Sequence, residues 1–312
     1  INMDETSSVV DPAENRILWY PLSNAFLAGK VLVTDPANVG INSFVVGYES
    51  RAKGDYSQAM GFKAYADGLN STSIGQNSKA EGNFSYAIGQ GAKATASMSY
   101  AIGAGAQATG QESYAIGRGA TTNGTGSFAF GNQAIANDTN SFALGEDAFA
   151  QGVESYAFGR EAKATGQRSF AFGSAARGGT VDTISWTIAG APIASGDFSF
   201  AFGNETLAQG TNSIAMGFKS VASNNFAVAI GYQNTASAFS SIAMGNNTKA
   251  SGLASTAMGD RTTASGIRST AMGYNTTASE FASTAMGYNT TASEFASTAM
   301  GNQTIASGKT ST

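Results

Sequence analysis

The sequence contains neither cysteine nor histidine, only 4 prolines, and charged residues at just 12% of its 312 positions. Without cysteine and histidine the chain cannot form thiol nucleophiles, Ser-His-Asp triads, histidine general bases or Cys/His zinc sites. We therefore expect no enzymatic activity, no cofactor and no metal site. The 17 Lys and Arg residues are scattered and the formal net charge is −4, so we expect no nucleic-acid partner.

Membrane and export segments are also missing from the sequence. No run of eighteen apolar residues occurs, and no charged-then-apolar leader opens the chain at Ile1. We expect any anchor and export signal to lie outside this chain. The last residues, Ser311 and Thr312, open a further repeat in register, so we expect the repeat domain to be truncated mid-repeat.

What the sequence has in abundance is glycine, with 39 residues, in a regular spacing. A glycine recurs every fourteen residues from Gly47 to Gly173 and again from Gly203 to Gly301. It closes a Ser-x-Ala-φ-Gly motif in which φ is apolar, as in 85–89, and a small-x-Ala-x-Gly motif follows, as in 106–110. Both motifs alternate with period two between glycine-bearing corners, which is typical of two short parallel strands per turn. The pattern predicts an all-β parallel β-roll solenoid of about nineteen coils, roughly 90 Å long.

The repeat predicts two regions, an N-terminal cap segment at 1–41 and a β-roll repeat domain at 42–312. Residues 17–33 are bulky and apolar, as expected of a segment that covers the first open sheet edge. The interval from Gly173 to Gly203 is thirty residues, or two periods plus two. We interpret about 174–194 as a degenerate coil with a two-residue insertion, in which Trp186 occupies the large column and Ala189 replaces the glycine.

The two faces of the first strand predict association between copies of the chain. Its Ser and Ala residues share one face, which only a narrow interior can hold, so the large residues point outward. Burying such a side chain is worth about 1.5–3 kcal/mol, and an exposed apolar stripe of this length marks an obligate interface. The predicted interface residues are Ile88, Ile102, Ile116, Phe130, Leu144, Phe158, Phe172, Phe202, Met216 and Met244.

The motif at 140–145, Asn-Ser-Phe-Ala-Leu-Gly, and the one at 212–217, Asn-Ser-Ile-Ala-Met-Gly, resemble the head repeat of YadA-like trimeric autotransporter adhesins. The resemblance covers 42–312. It implies a left-handed parallel β-roll and a homotrimer packed through the apolar column. It also implies an extracellular, cell-surface adhesin that attaches to host, matrix or other cell surfaces through a protein or glycan receptor. Outer-membrane anchoring would then come from a segment outside this chain.

Similar repeats in trimeric fibres of phages and contractile injection systems imply an alternative, the shaft or receptor-binding fibre of such a particle. The family's binding residues follow no transferable motif, so the resemblance assigns none.

Four surface features leave alternatives open. The aromatic ladder that includes Tyr86 and Tyr100 is either interface packing, which we favour, or a carbohydrate platform. Threonine pairs such as Thr262-Thr263 favour one inward row over an ice-binding array. Trp186 either fills the interface or belongs to a protruding receptor-contact loop, and it is the one candidate ligand-binding residue. Receptor binding is accordingly either distributed along the polar face or local to 174–194.

Overall fold

The computed structural model describes residues 16–33, 35–175 and 190–311. The chain divides into two compact units, Ile1–Asp147 and Ala148–Thr312. Each unit is a stack of coils, and each coil contributes one longer strand and one two-residue strand. In the described part of the chain there is no α-helix, and two 3-10 helices span Pro21–Ser23 and Pro36–Asn38.

In the first unit the longer strands are Arg16–Tyr20, Ala25–Lys30, Phe44–Tyr48, Gln58–Phe62, Thr72–Ile74, Tyr86–Ile88, Tyr100–Ile102, Tyr114–Ile116, Phe128–Phe130 and Phe142–Leu144. Its short strands are Arg51–Ala52, Tyr65–Ala66, Lys79–Ala80, Lys93–Ala94, Gln107–Ala108, Thr121–Thr122 and Ile135–Ala136.

In the second unit the longer strands are Tyr156–Phe158, Phe170–Phe172, Phe200–Asn204, Ile214–Phe218, Val228–Tyr232, Ile242–Asn246, Thr256–Asp260, Thr270–Tyr274, Thr284–Tyr288 and Thr298–Asn302. Its short strands are Phe149–Ala150, Lys163–Ala164, Ile193–Ala194, Leu207–Ala208, Val221–Ala222, Thr235–Ala236, Lys249–Ala250, Thr263–Ala264, Thr277–Ala278, Thr291–Ala292 and Ile305–Ala306.

Neighbouring coils pair in parallel with a shift of fourteen residues. Tyr100 lies opposite Tyr86 on one side and Tyr114 on the other, and the short strands follow the same shift. The parallel strands form nine layers in the first unit and ten in the second, counting Ala25–Lys30 as the first layer. The all-β parallel solenoid of about nineteen coils is therefore confirmed.

The interior of each coil is made of small side chains, as predicted. Ala87 of a longer strand and Ala94 of the following short strand are both 0% exposed, and so is Ser85. The serine hydroxyl is satisfied locally, since Ser85 Oγ donates to the carbonyl oxygen of Gly82 at 2.6 Å. The narrow interior accepts only small side chains at this column, and a buried hydroxyl is most stable with a partner. Ser85 has such a partner, whereas the hydroxyls of Ser71, Ser155 and Ser213 in the same column have none.

The glycine column is explained by close approach of successive backbones. Gly89 has φ +129°, and a Cβ built there would lie 2.5 Å from the carbonyl oxygen of Gly103 in the next coil. Any side chain would therefore overlap the neighbouring layer in a backbone conformation that L-residues rarely adopt. The glycine is what allows the coils to stack at hydrogen-bonding distance.

The N-terminal segment adds two strands and the largest buried side chains. Arg16–Tyr20 pairs antiparallel with Ala25–Lys30, which pairs in parallel with Phe44–Tyr48 at a shift of eighteen residues. Leu27, Val33 and Val45 are almost completely buried there. The larger core residues close this end of the stack, and Ala25–Lys30 covers the edge of the first regular coil.

Across the interval between Gly173 and Gly203 the strand pairing shifts by thirty residues instead of fourteen. Phe170 pairs directly with Phe200, thirty residues later, and the amide of Phe170 donates to Ser199 O at 2.9 Å. These two strands are therefore neighbours in the sheet, and the predicted degenerate coil at about 174–194 falls mostly on residues 176–189, which lie outside the described residues. Trp186 lies outside the described residues.

Candidate oligomer interface

The outer face of the longer strands carries two columns of large side chains, one residue on either side of the buried alanine. The ten predicted interface residues all belong to the column that precedes the glycine, and none of them is buried. Leu144, Phe172 and Phe202 are 43%, 50% and 41% exposed, whereas Ala143, Ala171 and Ala201 are 0% exposed. The structure thus places these ten side chains on the outer face, and whether a second copy covers them stays a prediction.

The second column forms an aromatic ladder in the first unit. The ring centroids of Tyr86, Tyr100 and Tyr114 are 4.9 and 4.6 Å apart, and Phe128 continues the stack at 4.9 Å with planes within 6°. Each ring therefore covers the face of its neighbour and presents only its edge outward. A sugar stacks on an aromatic face, so this geometry favours edge packing in an apolar interface over a carbohydrate platform.

The pKa of Tyr100, which lies within the ladder, reflects its partial burial. The pKa of Tyr100 is raised above its ordinary value, first by burial between its neighbours and then by the adjacent hydroxyls of Tyr114 and Tyr86. Burial disfavours the phenolate of Tyr100. A neutral phenol at this position is compatible with an apolar contact.

The outer face changes along the second unit. Tyr156 and Phe170 stack at 4.6 Å, and Phe172 and Phe202 at 5.2 Å. From Ile214 onward the ladder column becomes aliphatic and then threonine, while the column before the glycine becomes methionine. The second unit therefore combines a slim column with a flexible apolar one, which adapts to an irregular partner surface.

The threonine pairs split between the two sides of the short strands. Thr262, Thr276 and Thr290 are fully buried, while their neighbours Thr263 and Thr277 lie on the outer side. The prediction that one row points inward is confirmed. Only one threonine of each pair is left on the surface, which favours a structural row over an ice-binding array of paired threonines.

Charged groups on the surface form a few ion pairs, and Glu49 lies near both Lys30 and Lys63. Arg51 Nε donates to Asp67 Oδ1 at 2.9 Å, and Arg168 Nε donates to Glu154 Oε2 at 2.6 Å. The second pair holds the pKa of Glu154 below its ordinary value, first through the hydrogen bond from Arg168 and then through its charge. Within 16–33, 35–175 and 190–311, no three acidic side chains come together as a metal site would require.

The sequence did not lead us to expect a set of aromatic pairs at the coil corners, most of whose rings are exposed. Directly after the glycine, Tyr48 stacks on Phe62 at 5.2 Å, Phe218 on Tyr232 at 5.2 Å, and Tyr274 on Tyr288 at 5.1 Å. At the opposite corner Phe281 stacks on Phe295 at 5.3 Å. Their fourteen-residue spacing was a visible signal, but the columns also contain polar residues in other coils, which hid it.

Comparison with known protein families agrees with this architecture. The family model described as the YadA head domain repeat matches residues 39–64, 66–92, 80–106, 94–120, 108–134, 123–148, 150–176, 208–234, 236–262 and 264–290. These matches cover more than half of the chain, which therefore belongs to the YadA head repeat family, the parallel β-roll repeats of trimeric autotransporter adhesins. No curated protein matches the chain. In the described part of the chain, no helix has the length and apolar character of a membrane span.

Proposed function

We propose that this chain is the head of a homotrimeric surface adhesin that attaches to an extracellular protein or glycan receptor and has no catalytic role. The family supports an adhesin-type function. The observation that carries the trimer is the apolar outer face of the longer strands, where every second residue is large and none of the ten predicted interface residues is buried. Three left-handed coils packed through this face around one axis would remove it from water.

The energetics of burial support a partner for this face. A fully buried side chain of this type is worth about 1.5–3 kcal/mol relative to an exposed one. Phe172 is 50% exposed and Leu144 43% exposed, so much of that free energy is not gained within one chain. Because the column repeats in every coil, the association of several copies would gain this burial free energy at each coil.

Mass measurement in solution tests the trimer. Light scattering at micromolar concentration is expected to give three times the 31.6 kDa of one chain. Ile102→Asp combined with Ile116→Asp places two charges in the column and is expected to dissociate the trimer. The matched control is Gln107→Asp, which puts a charge on the exposed outer side of a short strand. A folded wild-type monomer would refute the trimer.

Attachment is expected to be distributed along the coils. Residues 274–287 and 288–301 have identical sequences, so deleting 274–287 removes one coil and creates no new junction. Binding to immobilised collagen and to a glycan array is expected to fall in a graded way, because each coil contributes a weak contact that three chains multiply. If this deletion has no effect while removal of residues 179–184 abolishes binding, the site is local to that segment.

A further inference from the structure

Aromatic residues at one corner of the second unit occur as stacked pairs. At the position directly after the glycine, which we call the exit corner, Phe218 stacks on Tyr232 at 5.2 Å and Tyr274 stacks on Tyr288 at 5.1 Å. Within 190–311, the exit corners of the coils before and after each pair carry polar residues. Each stack therefore stops after two rings, and its second ring has no aromatic neighbour on one face.

The first ring of each pair carries a cation, whereas the second ring does not. Arg261 Cζ lies 5.9 Å from the ring centroid of Tyr274, and Lys219 Nζ lies 5.2 Å from the first ring of the other pair. In the described part of the second unit, no cation lies over Tyr232 or Tyr288. Both of these rings are 49% exposed, compared with 36% for Tyr274. The second ring of each pair thus offers a face to solvent.

The stacked pair of the first unit is different. Tyr48 stacks on Phe62 at 5.2 Å, but Lys63 Nζ lies 5.4 Å from the ring centroid of Phe62. Phe62 also has no hydroxyl group. A cation of the same chain therefore already lies at this second ring, and we confine the inference to the second unit.

Amide side chains follow each free ring face in the next coil. The exit corner after Tyr232 is Asn-Asn at 246–247, and the one after Tyr288 is Asn-Gln at 302–303, with all four residues exposed. The asparagine in the ring column is shorter than tyrosine, so it leaves the outer half of the ring uncovered. Each free ring face therefore lies beside two side chains that both donate and accept hydrogen bonds.

An exposed ring face beside two amides has the chemistry that binds a sugar. The C–H groups of a pyranose form an apolar face that packs on an aromatic ring, and its vicinal hydroxyls match the donor and acceptor of an amide. Charges at the neighbouring exit corners are paired, Lys219 with Glu205 at 3.3 Å and Arg261 with Asp260 at 3.8 Å. This pairing favours an uncharged sugar over a sulfated or carboxylated one.

We propose that Tyr232 and Tyr288 are stacking platforms for a neutral sugar of a glycan receptor, with the amides at 246–247 and 302–303 hydrogen-bonding its hydroxyls. The two platforms lie at the same corner four coils apart, which is about 19 Å at the spacing of neighbouring strands. Three copies of the chain would present several such platforms, so weak single contacts add up on a glycan-covered surface. This inference rests on the proposed adhesin function and names the ligand class of its receptor.

Substitution by asparagine tests the platforms, because the same corner already carries asparagine at Asn204. Tyr232→Asn combined with Tyr288→Asn removes both free ring faces, and unchanged thermal melting would show that the fold is kept. Binding to an array of neutral oligosaccharides ending in galactose, glucose or N-acetylhexosamine is expected to weaken about tenfold or more. The matched control, Phe218→Asn with Tyr274→Asn, removes two rings from the same column but keeps both free faces. It is expected to bind within about threefold of wild type.

Proton NMR of the bound oligosaccharide reports the stacking directly. The sugar C–H protons should shift upfield above the tyrosine rings, and this shift should be lost in the Tyr232→Asn, Tyr288→Asn variant but kept in the control. If wild-type protein binds neutral glycans and both double variants bind equally well, the platforms are wrong and a glycan-binding adhesin stands. If it binds collagen but no neutral glycan, the platforms are wrong and a protein-binding adhesin stands. Absence of binding to glycans, collagen and cells would refute the adhesin and the platforms together.

Discussion

The glycine column leads to a stability prediction that can be tested within one coil. This coil contains one glycine at which the neighbouring backbone leaves no room for a side chain and one that has free space around it. Gly89 has φ +129°, and its added Cβ would lie 2.5 Å from Gly103 O and 2.7 Å from Gly103 C. Gly91 has φ +66° with nothing within 4 Å, and the corresponding residue one coil earlier, Asn77, adopts φ +56°. We therefore compare Gly89→Ala with Gly91→Asn.

The expected cost of Gly89→Ala has two parts. Holding alanine at this φ costs about 1–3 kcal/mol. Moving the layers apart also weakens the hydrogen bonds from Gly89 N to Ile74 O and from Gly103 N to Ile88 O, both 2.8 Å, at about 1 kcal/mol each. The free energy of unfolding should fall by about 3–5 kcal/mol, whereas Gly91→Asn should change it by less than about 0.5 kcal/mol.

Guanidinium unfolding at equal protomer concentration measures the difference, since an oligomer's midpoint depends on concentration. Hydrogen exchange should locate the loss, with faster exchange of the amides of Gly89 and Gly103 than in the Gly91→Asn control. Equal unfolding midpoints for the two variants would refute the claim that backbone approach sets the glycine column.

Three interior or corner changes and one aromatic change extend these tests. Ala143→Leu overpacks the roll and should lower the free energy of unfolding by about 1–3 kcal/mol; unchanged melting would mean the inward face is misassigned. Asn234→Asp removes two buried amide donations and should cost about 2–4 kcal/mol more than Asn234→Ser in chemical denaturation. The lowered pKa of Glu154 means that its pairing with Arg168 stabilises the fold above the ordinary carboxyl pKa and is lost as pH falls through the lowered value. Arg168→Gln should raise this pKa in an NMR titration, and an unmoved pKa would contradict the pairing. Phe226→Asn relieves a left-handed backbone at an exposed position, so it should stabilise the protomer but weaken association on dilution, and sedimentation separates the two effects.

The coil itself could be predicted because its cause is periodic. Alternation of Ser and Ala with large residues determines which side is inward, and Ser85, Ala87 and Ala94 are all fully buried as expected. The fourteen-residue shift then follows from stacking like on like, as Tyr86 on Tyr100 shows.

The register at the break could not be predicted from the same pattern. A periodic sequence permits more than one alignment, and residues 185–188 resemble a strand of the repeat closely enough to suggest a coil. What decides the alignment is a backbone contact, the approach of Gly173 to the carbonyl of Gly203 at 2.5 Å from an added Cβ. The alternation of apolar and polar residues in the sequence does not encode a backbone contact of this kind.

Backbone conformation gives a further reason to expect a partner copy at the residue directly before the buried serine. The residue directly before the buried serine adopts a left-handed conformation throughout the stack, with φ +52° at Asn70 and +53° at Asn140. Asparagine and glycine accept this conformation readily, and bulky residues do so at a cost of about 1–2 kcal/mol. Yet Phe84, Phe198 and Phe226 adopt φ +56° to +59° there while 43–49% exposed. In an isolated chain such a residue has an unfavourable backbone conformation, and its apolar ring also remains in contact with water. The cost is recovered if the ring becomes buried against another copy, so these phenylalanines favour the association of copies that we propose.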